Sequence, residues 1–319
     1  MATASVSWED VDPWPELRLD AWADTRDTLH MWVQMVGKVA LALAPPVNHW
    51  WGSTLRVDAR GLETQLLPYR GGAIQIAFDF QNHRLSIKAS TGEGRDIALQ
   101  ARPVAEFYRE FRSKLTELGV DVRIYAHPVE LPVAIPFADD VEHASYDRAA
   151  VGRFHHILVS ADRVMSEFRA RFIGKSSPVH LFWGGLDLAV TRFSGREAPR
   201  HPGGFPNCPD YVQWLAYSHE VSSCGYWPGG EGEGAFYSYA YPEPPGYADA
   251  GVEPAAAHYD TGLGEHLLPV TAVRTADDPD GALMSFLQST YEAAADCAGW
   301  DRAALEAKPS DLSLLRTSY

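Results

Sequence analysis

Residues 46–52 read Pro46-Val47-Asn48-His49-Trp50-Trp51-Gly52, and residues 178–184 read Pro178-Val179-His180-Leu181-Phe182-Trp183-Gly184. Each stretch follows a long helical pattern and leads into a run with strand character. Before the first, Trp22, Thr25, Leu29, Trp32, Val36, Ala40 and Leu43 recur at steps of three and four, as one buried helix face requires. That spacing predicts a helix over 20–44, ended by Pro45 and Pro46 because proline cannot continue it. Before the second, Val151, Phe154, Leu158, Ala161, Met165, Phe168 and Phe172 predict a helix over 147–173, closed by Gly174. The same hand-over from helix to sheet is written twice, which suggests an internal duplication.

Strand patterns follow each stretch. In the first half they lie at 54–57, 63–68 and 73–80. A turn at Gln81-Asn82 leads to 83–89, and a weaker strand is expected at 96–100. Pro103 opens a helix to Leu118, stopped by Gly119. In the second half, strands are expected at 179–183, 186–193, 211–223, 235–241 and 267–273, with a final helix opened by Pro279. Consecutive strands joined by short turns imply antiparallel pairing with helices alongside. The expected fold is therefore α+β, built from two pseudo-symmetric helix–antiparallel sheet–helix repeats packed as one unit. The repeats span 1–125 and 147–319, with a Pro-rich connector at 126–146.

Composition bounds the function. The 319 residues are 46% hydrophobic and 22% charged, enough apolar content for a sizeable core. A net charge of −15 spread along the chain argues against nucleic acid or an anionic membrane surface as partner. No apolar run is long enough to span a bilayer, and the first twelve residues lack the basic and apolar segments of a signal peptide. A cytoplasmic protein is expected. Three cysteines, Cys208, Cys224 and Cys297, form no CxxC pair. None of the common nucleotide, serine-hydrolase or zincin motifs occurs.

Polar residues present in only one half are the candidates for chemistry. His180 stands where the first half has Asn48; it either satisfies the turn or points into a cavity as base or ligand. In 211–223, alternation puts Ser218, Glu220 and Ser222 on one face and His219 on the other, which weakens a His219–Glu220 dyad. His180 and His219 with Glu220 are nevertheless the candidate catalytic set. The same three would hold a divalent transition metal, as two histidines and a carboxylate can. Asp187, Ala189 and Thr191 share a face opposite Arg192, which is either a solvated strand end or a fork for an anionic group. Tyr237, Tyr239 and Tyr241 share another face and would supply donors; Trp183 would supply ligand contact. Long loops at 196–210, 225–234 and 242–266 place the working site in the second half, walled on one side by the first.

Lys175 to Arg196, Ser218 to Trp227 and Tyr237 to Pro244 resemble an uncharacterised bacterial family known only as a domain of unknown function. The resemblance covers nearly the whole chain. It implies a single full-length unit and carries over no activity. From the residues, the expected function is a small-molecule enzyme. The alternatives are a non-catalytic binder of an aromatic or hydrophobic ligand, and an interaction module with an aromatic surface that meets a partner or forms a homodimer.

Overall fold

In a computed structural model the described residues are 11–308; residues 1–10 and 309–319, assigned above to the two repeats, lie outside them. The chain begins with α1 (Leu19–Leu43) and a 3-10 segment (Asn48–Ser53). Six strands follow: β1 (Leu55–Val57), β2 (Gly61–Thr64), β3 (Leu67–Tyr69), β4 (Gly72–Asp79), β5 (Arg84–Ala89) and β6 (Gly94–Ala98). Then come α2 (Val104–Glu117), an irregular connector and α3 (Arg148–Ala170). The second half contributes β7 (His180–Phe182), β8 (Asp187–Glu197), α4 (Asp210–Ala216), β9 (His219–Trp227), β10 (Ala235–Tyr241), β11 (His258–Asp260) and β12 (Glu265–Pro269). It ends with α5 (Val270–Arg274), α6 (Pro279–Cys297) and α7 (Arg302–Leu305).

The strands form one antiparallel sheet in the order β11-β12-β10-β9-β8-β7-β1-β2-β4-β5-β6, with β3 also on β4. Its two halves meet where Leu55 of β1 pairs Leu181 of β7. The α+β class with an antiparallel sheet is therefore as expected. The two motifs that suggested a duplication do not share a backbone, however. Asn48–Ser53 is a 3-10 turn in which His49 and Trp50 take φ of 57° and 53°, whereas His180–Phe182 is a strand.

α1 departs from its one-faced pattern: every residue from Leu29 to Ala40 is buried. A helix buried all round, here with His30, Gln34 and Lys38 among its apolar residues, lies inside a core. Trp32 stacks on Phe107 of α2 at 4.5 Å, and Trp22 meets Phe154 of α3 at 5.1 Å. A Cβ on Gly37 would lie 2.1 Å from the Trp183 ring, so the helix and that indole approach as closely as glycine allows.

Three strand expectations change. The run 63–68 breaks at Gln65-Leu66 into β2 and β3, both on the same side of β4, and the Thr64 hydroxyl accepts the Ile76 amide across the break at 3.1 Å. The first part of 211–223 is α4, because Pro209 opens a turn and Val212 and Ala216, four residues apart, are both buried. The run 267–273 stops at Pro269 and continues as α5.

Candidate functional site

Alternation along the second half of the sheet sorts its side chains onto two faces. Tyr237 pairs Gly225, Tyr239 pairs Ser223 and Tyr241 pairs Val221; Ser223 in turn pairs Thr191. The opposite face carries Leu188, Val190, Arg192, Tyr226 and Phe236, packed in the core. The Tyr237 face, with the 3-10 turn, the connector and α4, lines a cavity of about 430 Å³ that opens to the surface. His49 and Trp50 come from the first half and Glu130 from the connector; the remaining walls are second-half residues.

Three carboxylates open into this cavity: Glu130, Asp187 and Glu265. Enclosure by protein raises all three, Glu130 and Glu265 to about 7 and Asp187 to about 6, because the charged form loses water. Asp187 adds like-charge repulsion to both glutamates. Asp187 accepts a hydrogen bond of 2.5 Å from the Tyr237 hydroxyl. Tyr237 reaches from β10 across β9 to β8, and Gly225 lets it pass: a Cβ there would lie 2.5 Å from the Tyr237 ring and hydroxyl. Tyr239 exchanges a 2.8 Å hydrogen bond with Tyr217.

Glu130 is positioned from below by α1. Gln34, fully buried, accepts the Val129 amide at 2.8 Å and donates to the Val129 carbonyl at 2.9 Å. His30 Nε2 donates to the carbonyls of Gly184 (2.9 Å) and Trp183 (3.1 Å); burial lowers its pKa to about 4, so the ring is neutral. Two α1 side chains thus fix the segment before Glu130 and the Gly184-Gly185 ledge against which its carboxylate lies. A Cβ on Gly184 would fall 2.2 Å from Glu130 Oε1. One on Gly185 would fall 2.7 Å from Asp187 Oδ1 and 3.6 Å from Glu130 Oε2. The two carboxylates are neighbours across that glycine. Among the described residues, no hydrogen bond or ion pair engages the Glu130 carboxylate. Lys38, pushed down by burial to about 8, is the positive charge it feels.

Backbone strain gathers here. Glu130, Leu186, His49 and Trp50 all take φ between 53° and 59°. Non-glycine residues in such conformations cost about 1–3 kcal/mol each and cluster at functional sites.

The residues named from sequence divide accordingly. Tyr237 and Tyr239 line the cavity. His180 lies just behind the wall, fully buried, its ring 4.6 Å from Phe182 and 6.0 Å from Trp51. Neither ring nitrogen has a partner among the described residues, and burial lowers the pKa to about 3. Trp183 stacks on Trp50 at 5.2 Å in the core rather than facing the cavity. Arg192 is on the other face of the sheet, its guanidinium over Phe168 at 3.5 Å and Tyr291 at 4.2 Å, and presents no fork to a ligand.

His219 is exposed and bonded to Ser218; Glu220 pairs with Arg196 at 2.7 Å. The His180–His219–Glu220 set does not converge. His180 sits opposite Ala189 and His219 opposite Glu197, near the far end of β8, on the order of 20 Å apart at the rise of a strand. No group of three or more His, Cys, Asp or Glu side chains among the described residues is placed to hold a metal ion. Sequence reading missed Glu130, His49, Glu265 and the clamp from His30 and Gln34.

A family model described as "Family of unknown function (DUF5996)" matches residues 14–307. The chain belongs to that family. The match runs through both halves and the connector, so the cavity's walls all lie inside the family's extent. Comparison with curated proteins and with solved structures found no match. No described helix is long and apolar enough to cross a membrane.

Proposed function

We propose that this chain is a small-molecule enzyme whose working site is the cavity, with Glu130 as proton acceptor and donor beside the Tyr237–Asp187 pair. One observation carries the reading: an enclosed carboxylate with no partner among the described residues faces a second, hydrogen-bonded carboxylate across Gly185. Two acids in different surroundings divide acid from base roles, and a group titrating near neutrality serves either. His49 adds an imidazole whose nitrogens make no hydrogen bond among the described residues; burial lowers it to about 4, leaving it a neutral acceptor. Three unpaired thiols fit a reducing, cytoplasmic setting.

The test is mass spectrometry of the denatured protein and of Glu130→Gln, purified in parallel. A small molecule that co-purifies with the parent and is lost or chemically altered in the variant supports the enzyme. The same molecule held unchanged by both moves the reading to a non-catalytic binder, which the aromatic walls favour. A cavity empty in both, with no saturable binding of small aromatic probes, removes it.

A further inference from the structure

We infer that the cavity takes a small organic cation, an amine or other ammonium-bearing molecule with an apolar body. This rests on the reading above that the cavity is the working site.

Charge supplies the first argument. Glu130, Asp187 and Glu265 all open into it. The other titratable groups facing them are His49 and His201, both lowered by burial, the hydroxyls of Tyr217, Tyr237, Tyr239 and Tyr241, all raised by burial and so neutral, Asp260 beside Glu265, and Lys38 with Cys208 near Glu130. No arginine among the described residues lines the space; Arg192 is on the far side of the sheet and Arg196 is engaged by Glu220. The Lys38 ammonium is 5.4 Å from both the Trp183 and Tyr125 rings, so it too is held by aromatic faces. An anion entering would meet three acids. A cation would meet an enclosed carboxylate that no described protein group bonds.

Chemistry of the walls supplies the second, independent of the acids. Trp50, Phe182, Tyr217, Tyr241 and Trp227 surround the carboxylates. Ring faces attract cations, more strongly where water is excluded, and also cover apolar groups. His49, neutral and stacked on Phe182 at 4.6 Å, leaves one ring nitrogen free to accept from an N–H. Cation, hydrogen-bond donor and apolar body are thus all provided for in one space.

Binding would couple to protons. A cation prefers the ionised carboxylates, so affinity rises with pH through about 7 as Glu130 and Glu265 lose their protons, and protons are released on binding.

Titration calorimetry of the full chain with benzylamine, benzyl alcohol and benzoate tests this at pH 6, 7 and 8. Benzylamine is expected to bind at least tenfold more tightly than benzyl alcohol, benzoate not measurably. Benzylamine affinity should rise several-fold from pH 6 to 8. Glu130→Gln and Asp187→Asn, each checked by circular dichroism for the parent's folded spectrum, should each lose tenfold or more; Glu93→Gln, on an exposed turn, should not. If benzyl alcohol or benzoate binds as well as benzylamine, and Tyr217→Ala removes that binding, the cavity is a binding site but not a cation site. If none of the three binds and nothing co-purifies, both readings fall. Benzylamine binding with no dependence on pH, Glu130 or Asp187 also overturns the proposal.

Discussion

Glu130 concentrates the physics of the site in one side chain. Its carboxyl is raised from about 4.5 to about 7 by enclosure and by Asp187. A group bound to its proton more tightly when folded contributes stability that is full below its unfolded pKa and lost as pH rises through the folded one. Relative to the parent, the melting temperature of Glu130→Gln should therefore rise between pH 4.5 and 7.5, the buried histidines and the other two acids titrating alike in both proteins. A variant with the parent's full slope would place the titration elsewhere. Gly225 gives a second residue-scale expectation. Gly225→Ala drives a methyl into the Tyr237 ring and the Leu188 carbonyl. It should cost about 1–3 kcal/mol of stability and abolish ligand retention, read by chemical denaturation and by the mass spectrum. Strand alternation alone sorts Asp187 and the three tyrosines onto shared faces, so these were legible in the sequence. Glu130 was not legible, since it lies in a Pro-rich connector with no periodic partner to mark where it points. The His180, His219 and Glu220 set failed for a related reason: neighbouring strands bring residues together by register, and number alone hid the length of β8.

Among the elements, α1 does more than fill the core. Gln34 satisfies both backbone groups of Val129, and buried groups left without partners cost about 1–3 kcal/mol each. Gln34→Leu should lower the urea unfolding free energy by about 2–5 kcal/mol, and it should weaken cavity binding even where the protein remains folded. Unchanged stability would mean that the Val129 segment finds other partners. The helix itself is plain in sequence, but its 3.6-residue period says nothing of which distant backbone groups His30 and Gln34 reach. α4 was misread because seven residues of helix run into the strand with only Tyr217 and Ser218 between them and no glycine or proline to mark the break.

Taken whole, the molecule is bound across its middle in three ways: β1 on β7, α1 against Trp183, and Glu130 from the connector in a second-half cavity. Cooperative unfolding follows, and we expect coincident urea transitions by far-UV circular dichroism and by Trp fluorescence. Fragments 1–125 and 147–319 made separately should not fold alone; a folded fragment with its own sharp transition would contradict this. Helices, strands and the antiparallel class could be read along the chain, because each is a local pattern. The joining of both halves into one sheet could not, since nothing near Leu55 names Leu181 as its neighbour.

That pairing sets an order of events during synthesis. β1 and its neighbours leave the ribosome well before β7 exists, so the middle of the future sheet is for a time an open edge with unsatisfied amides. β7 of the same chain is the strand meant to close it. In a crowded cell another copy's β7 offers the same hydrogen bonds, so strand exchange between nascent chains is the misassembly this topology invites.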